Sequence, residues 1–214
     1  VDPMTKKQRA LQAVEALKAR YPDAVCSLRS DNPLQLLIAT RLSAQCTDAR
    51  VNLVTPALFA RFPTLEDFAA ASPEEVGEYI RSCGLYKTKA RDIVNLCIAL
   101  RDEYGGVMPD TVEELTMLPG VGRKTANLVC GDVFGKPAVV ADTHCIRIAG
   151  RLGLTDGTKD PYKVEMQLKK LLPPEESNNF CHRLVLFGRE ICSARSPRCG
   201  ECPLRAVCAH PANG

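Results

Sequence analysis

The chain has 214 residues, enough for one large domain or two small ones, and 45% of them are hydrophobic, which suffices for a real core. Its 28 basic and 25 acidic residues leave a formal charge of only +3, so bulk basicity is excluded as a means of holding nucleic acid and any contact with DNA has to be local. No apolar run reaches the roughly 18 residues of a membrane span, and no basic-then-apolar secretory leader is visible.

Val1-Asp2-Pro3, ahead of Met4, reads as a vector-derived remnant and is left out of the fold. Thr5 to Arg20 repeats apolar residues at Ala10, Val14 and Leu17 and reads as one helix, ended by Tyr21-Pro22. Pro33 opens Leu34 to Thr40, too apolar for a surface helix and read as the central buried helix of a bundle. The polar cluster that follows, Leu42-Ser43-Ala44-Gln45-Cys46-Thr47-Asp48, breaks the pattern and suggests exposure in a groove, with Asp48 capping a helix over 49–59. Ser72-Pro73-Glu74-Glu75 is a strong helix start, and that helix runs to Ser82 and is closed by Gly84. Leu85 to Ala90 reads as a short loop with an apolar tip, leading into a long helix from Ala90 to Tyr104. Pro137-Ala138-Val139-Val140-Ala141 is the one β-like run and it is short, so the fold class is all-α, without repeats or low-complexity linkers.

The most informative stretch is Leu118-Pro119-Gly120-Val121-Gly122-Arg123-Lys124-Thr125-Ala126. Upstream, Asp110 with Glu113 three residues on reads as the capped start of a helix that Pro119 stops; downstream, Lys124 to Val129 reads as a second helix. Gly120 and Gly122 permit positive φ and leave no side chain between backbone and ligand, so the hairpin points N–H groups and a positive helix end at an anion such as a nucleic-acid phosphate. A bare Pro-Gly-x-Gly serves equally well as a tight connection between packed helices, and the flanking residues have to decide. Lys124 lies in the first turn of the second helix, where the dipole and partial burial would both disfavour its charge and push it toward a neutral, nucleophilic amine.

Asp142 follows the β-like run and reads first as the N-cap of a helix from Thr143 to Leu152, stopped by Gly153. A carboxylate so placed can also stabilise a developing cation or handle protons. His144 has no second histidine at helical spacing, which favours a structural role, with lining of an active site as the sharper alternative. Asp160-Pro161 starts another helix, and Pro173-Pro174 separates it from the last segment.

Of the eleven cysteines, Cys26, Cys46, Cys83, Cys97, Cys130, Cys145 and Cys181 are scattered through apolar segments and read as reduced, buried small hydrophobes. Cys192, Cys199, Cys202 and Cys208, separated by six, two and five residues in a loop-rich stretch, imply a metal centre. Zinc sites generally join two Cys-x-x-Cys knuckles and this stretch has one, so a [4Fe–4S] cluster fits better. From Cys181 onward Arg183, Arg189, Arg195, Arg198 and Arg205 face only Glu190 and Glu201, and the loop between the first two cluster cysteines would present Arg195 and Arg198 to phosphate.

Taken together, the Leu118–Ala126 hairpin, Asp142-Thr143-His144 and the Cys-x6-Cys-x2-Cys-x5-Cys tail resemble the endonuclease III family, bifunctional DNA glycosylase/AP lyases of the helix-hairpin-helix superfamily. The resemblance runs from the first helix to Cys208. It implies a six-helix domain over 26–136 facing a discontinuous cluster domain of 1–25 and 137–214, with double-stranded DNA carrying damaged bases or abasic sites bound across the cleft by a monomer, and no membrane. It implies Lys124 as the nucleophile at C1′ and Asp142 as the carboxylate that activates it or stabilises the sugar cation. It implies Gln45 filling the space of the flipped base, Leu85 wedged into the stack, and Gly120, Val121, Gly122 and Arg123 on the strand, with Ser43, Asp48 and His144 around the pocket. A cytoplasmic location, on the nucleoid in a bacterium, goes with this. Cys46 and Cys145 stand where Ala and Val are commoner, Ala141 where Val is usual, and Gly150 where the family has a more polar residue; none is a reacting group. Two alternatives remain at this point: a non-catalytic iron–sulfur DNA-binding or redox-sensing protein, and an adenine glycosylase of the same superfamily, against which Lys124 argues because that group lacks a lysine there.

Overall fold

A computed structural model describes residues 4–210, so Val1-Asp2-Pro3 lies outside the described residues. The regular structure among them is all helical, as expected, with no strand among the described residues. No helix in this range is long and apolar enough to cross a membrane. The chain divides into two compact units, each taken by itself: Cys26–Phe134, and a second made of the chain up to Val25 together with the chain from Gly135 onward.

The Cys26–Phe134 unit is organised on helix α2 (Pro33–Leu42). Asn32 caps it by accepting the Gln35 N–H at 3.0 Å, with Pro33 in the first position, and Leu36 to Thr40 and Leu42 are all buried, as suits a helix without a polar face. Around it lie α3 (Asp48–Arg61), α4 (Leu65–Ala70), α5 (Pro73–Ile80) and α6 (Tyr86–Tyr104), with α6 packed on α4, α5 and α2. The short α7 (Val112–Leu115) packs on α8 (Arg123–Asp132), which rests on α2.

Helix boundaries depart from the sequence reading in ways that matter for the site. Helix α3 is capped by Thr47, which accepts the Arg50 N–H at 3.2 Å; Asp48 is its first residue and not the cap. Ser72 and Glu75 form the expected reciprocal capping box of α5, but that helix stops at Ile80 and a 3-10 turn over Arg81–Cys83 completes the approach to Gly84. The segment after Gly84 is not a loop. Helix α6 begins at Tyr86 because Leu85 itself takes the left-handed conformation, φ 48° and ψ 30°, that turns the chain into the helix. Helix α4, unexpected from periodicity, is too short to show one and is defined by a box between Thr64 and Asp67.

The second unit contains α1 (Lys6–Arg20), α9 (Thr143–Leu152), α10 (Pro161–Leu171) and α11 (Ser177–Glu190), with α11 packed on both α1 and α9 through buried Phe180, Leu184 and Phe187. The β-like run is buried over Ala138–Ala141 without a partner strand. Side chains of α11 take that place: Ser177 Oγ accepts the Ala138 N–H at 3.2 Å and Cys181 Sγ the Val140 N–H at 3.3 Å. Arg183 is buried and pairs with Glu176 at 2.7 Å, while Lys18 reaches the same carboxylate at 2.6 Å; the hydrogen bond from Lys18, then that from Arg183, holds Glu176 below the usual carboxylate range. Arg183 therefore drops out of the basic surface counted from the sequence.

Candidate active site

The hairpin forms as read, with its details redistributed. Thr111 caps α7 and accepts the Glu114 N–H at 3.2 Å, so the cap lies one residue after Asp110, and Glu114 takes the place assigned to Glu113. Gly120 alone uses a positive φ, 73°; Gly122 is extended at φ −89° and ψ 171° and serves as the N-cap of α8 without any side-chain cap bond. In this unit α2, α3, α4, α5 and α7 carry side-chain caps, while α6 and α8 do not. The two helices that begin at Leu85 and at the hairpin thus leave their first N–H groups to be satisfied by something other than a capping side chain.

Beneath the hairpin sits a pair that sequence reading missed. Asp92 Oδ2 accepts from Arg41 Nε at 3.1 Å and from a terminal nitrogen of the same guanidinium at 2.7 Å, both side chains largely shielded. A Cβ on Gly120 would lie 2.8 Å from Arg41 Nε and 2.8 Å from Asp92 Cβ, so the turn presses its bare backbone onto this ion pair. Gly120→Ala is expected to destabilise the protein by about 2–4 kcal/mol, combining left-handed strain with overpacking. At Gly122 a Cβ meets nothing within 4 Å, so Gly122→Ala should stay within about 0.5 kcal/mol of the parent in chemical denaturation. If the hairpin holds a phosphate through its backbone, Gly122→Ala should still weaken duplex binding by about tenfold, the worth of one hydrogen bond to a charged group. Unchanged affinity would return the hairpin to the role of a plain connection.

Lys124 is the second residue of α8 and its side chain is exposed, not partly buried as the sequence reading supposed. Burial pushes the Cys26 thiol up to about 11; the charges of Asp132 and Asp48 add to that effect and that of Lys124 opposes it. Asp48 also accepts a hydrogen bond from Ser27 Oγ. Arg123 is half-buried at the first position of α8, and Val121 is buried with its N–H donating to Leu118 O at 3.1 Å.

Gln45 and Leu85 share a property that no spacing could announce. Among the described residues they are the non-glycine positions with positive φ, 54° and 48°, a conformation that costs of order 1 kcal/mol or more and persists only where the surroundings enforce it. Both side chains are exposed, Leu85 by 62%. Ser43 spends its hydroxyl on Thr40 O at 2.9 Å and so holds the end of α2.

In the second unit Asp142 is the N-cap of α9, with Oδ1 accepting the Cys145 N–H at 2.7 Å and the carboxylate half-exposed. His144 Nδ1 lies 3.2 Å from the Arg147 guanidinium, and both fit against Gly188, where any Cβ would collide with them. These contacts join α9 to α11.

Cys192, Cys199, Cys202 and Cys208 line one pocket, walled also by Arg151 and Arg198. The loop is closed by an Arg198 N–H to Ile191 O bond at 2.9 Å. Arg151 donates to Cys192 Sγ at 3.3 Å and to Ser193 O at 2.7 Å, placing a cation against that sulfur. Burial, reinforced by the charges of the other three, pushes the Cys202 thiol up. Arg195 and Arg198 are both exposed, and Arg198 donates to Glu190 O at 3.0 Å and pairs with Glu201 at 3.3 Å.

Residues 38–174 match the model of the HhH-GPD superfamily of base excision DNA repair proteins, and residues 192–208 that of the iron–sulfur binding domain of endonuclease III. Endonuclease III of Synechocystis sp. is 48% identical over 205 residues, covering 95% of this chain and 93% of that protein. The chain belongs to the endonuclease III family. Endonuclease III of Bacillus subtilis is 46% identical over 88% of this chain and 86% of its own length. The solved structure of a trapped endonuclease III–DNA covalent intermediate superposes with a TM-score of 0.90 at 46% identity, covering 96% of this chain and 97% of that one. The cofactor of this chain is a [4Fe–4S] cluster. Four thiols on one cavity fit that group, which offers one iron to each thiolate, and a cation on Cys192 Sγ fits the charge of a cluster with four thiolate ligands.

Proposed function

We propose that Lys124 and Asp142 carry out in this chain the reaction of the endonuclease III family: excision of oxidised or otherwise damaged pyrimidines from duplex DNA, followed by cleavage of the strand 3′ to the abasic site. The observation that carries this is an exposed primary amine in the first turn of a helix whose N-terminus has no side-chain cap, directly after a hairpin with bare backbone at Gly122. The hairpin N–H groups take a backbone phosphate, which brings C1′ of the neighbouring sugar to the amine.

The Lys124 nitrogen lone pair forms a bond to C1′ while the glycosidic bond breaks, and the base leaves with the electrons of the glycosidic bond and gains a proton. The amine loses a proton, and its nitrogen lone pair then breaks the C1′–O4′ bond; O4′ takes up a proton and the opened sugar is an iminium, the Schiff base. Removal of a C2′ proton then drives the electrons toward the iminium's β position, expelling the 3′ phosphate. Asp142 keeps one oxygen on the Cys145 N–H, and the remainder of its charge stabilises the cationic sugar or receives the proton released by Lys124. Gln45 occupies the gap left by the extruded base, Leu85 enters the stack, and Asp48 lines the base pocket.

Cys192, Cys199, Cys202 and Cys208 hold the cluster, which supplies charge and cross-linking to the loop that carries Arg195. Cys202→Ala is expected to lose iron and visible charge-transfer absorbance, and to unfold the 192–208 loop at lower temperature, because binding energy at such a site is folding energy. Full iron content in anaerobically purified C202A would count against this ligand set. We assign the functional division to 26–136 against 1–25 with 137–214, and a monomer working in the cytoplasm, at the nucleoid in a bacterium. Borohydride added to protein on thymine-glycol or abasic duplexes tests the whole reading: a covalent adduct is expected, and its absence with an intact cluster would favour a non-catalytic DNA-binding protein.

A further inference from the structure

We propose that Lys89 is a positioning residue, whose buried ammonium ties together the two segments that carry Gln45 and Leu85 and holds both side chains in place for insertion into the duplex. This rests on the roles given above to Gln45 and Leu85. Lys89 is 0% exposed, a rare state for lysine. Its Nζ donates to Leu42 O at 2.8 Å and to Cys83 O at 2.6 Å. Leu42 ends α2 immediately before the Gln45 segment, and Cys83 stands two residues before Leu85. The main-chain N–H of Lys89 also donates to Leu85 O at 3.0 Å. One residue therefore fixes the last carbonyl before one insertion loop and two carbonyls of the other.

The choice of a lysine needs a reason. Burial pulls the Lys89 amine downward from its ordinary value, the Cys46 and Cys83 thiols oppose that and the Arg41 guanidinium adds to it, so the site is an unwelcoming one for a cation. An apolar residue of similar length would fill the same space without that penalty. What it would not do is bond two carbonyls at once from 47 and 6 residues away along the chain. The conformations at stake require such support. Gln45 and Leu85 both hold positive φ, and Leu85, with its side chain 62% exposed, draws little packing of its own to keep it there.

The test compares Lys89→Met with Gln45→Ala and Leu85→Ala, using strand cleavage at one abasic site presented in duplex and in single-stranded DNA. Insertion into a stack matters only in the duplex. Gln45→Ala and Leu85→Ala should each lose duplex cleavage by about tenfold with single-strand cleavage nearly kept, and Lys89→Met should lose it by at least as much as either, since displacement by about an ångström is costly in rate. Equal losses on both substrates, or no loss, in Lys89→Met would overturn the proposal. If the Gln45 and Leu85 variants show no duplex-specific loss, the insertion roles fall first. Should Lys89→Met not fold, hydrogen exchange in the unsubstituted protein decides: amides of 43–47 and 84–88 are expected to open as one unit, and independent opening of the two segments would refute the tie.

Discussion

Lys124→Ala is expected to fold as the parent does and to yield no covalent product when borohydride is added over abasic DNA. The side chain is exposed at the second position of α8, so truncation removes no buried surface, and alanine is at least as good a helix former there. Denaturation should move by no more than about 0.5 kcal/mol. Strand cleavage should fall by about 10³-fold or more, the scale on which loss of a covalent nucleophile is felt. Lys124→Arg sharpens the result. A guanidinium keeps the positive charge for the phosphates yet stays protonated and cannot form the iminium, so DNA affinity should survive while the adduct does not. An adduct in either variant would put the nucleophile on another amine and leave α8 as a phosphate grip only.

The parts of this chain that could be read in the sequence are those whose physics is local. Ser72 with Glu75, and Asp160 with Pro161, announce their helices because a cap is an i to i+3 event that leaves its mark in four residues. The four candidate cluster cysteines are legible for a similar reason, since one short stretch of chain brings all of them to one pocket. Where two local signals overlap, the sequence does not choose: Asp110 with Glu113 and Thr111 with Glu114 are both plausible boxes, and the packing of α7 on α8 goes with the second. Gly120 and Gly122 look alike as letters, yet only Gly120 turns left-handed, and only there would a Cβ meet Arg41 and Asp92. That pair and Lys89 were missed altogether. Their partners are 51 and 47 residues distant, and no pattern of spacing encodes such a contact. The exposure of Lys124 was misjudged on the same ground, since burial is a property of the assembled fold.

Asp142→Asn separates two duties that one carboxylate performs. Oδ1 accepts the Cys145 N–H at 2.7 Å, and an asparagine carbonyl makes the same bond, so the start of α9 should survive; Asn ranks with Asp as an N-cap. What disappears is the negative charge. If Asp142 serves only as a cap, base excision and strand cleavage in D142N should match the parent within about twofold, as its stability would. If it stabilises the cationic sugar or takes the proton from Lys124, both rates should fall by roughly 10²–10⁴-fold while the melting curve barely moves. Asp142→Ala supplies the counterpart: it removes cap and charge together and should add about 1 kcal/mol of destabilisation to the same loss of rate. The contrast between the two variants is informative because the capping bond uses one oxygen on the helix side, and the charge acts through whatever approaches the half-exposed remainder of the carboxylate. A D142N protein that is both stable and slow would therefore assign catalysis to the charge and architecture to the hydrogen bond.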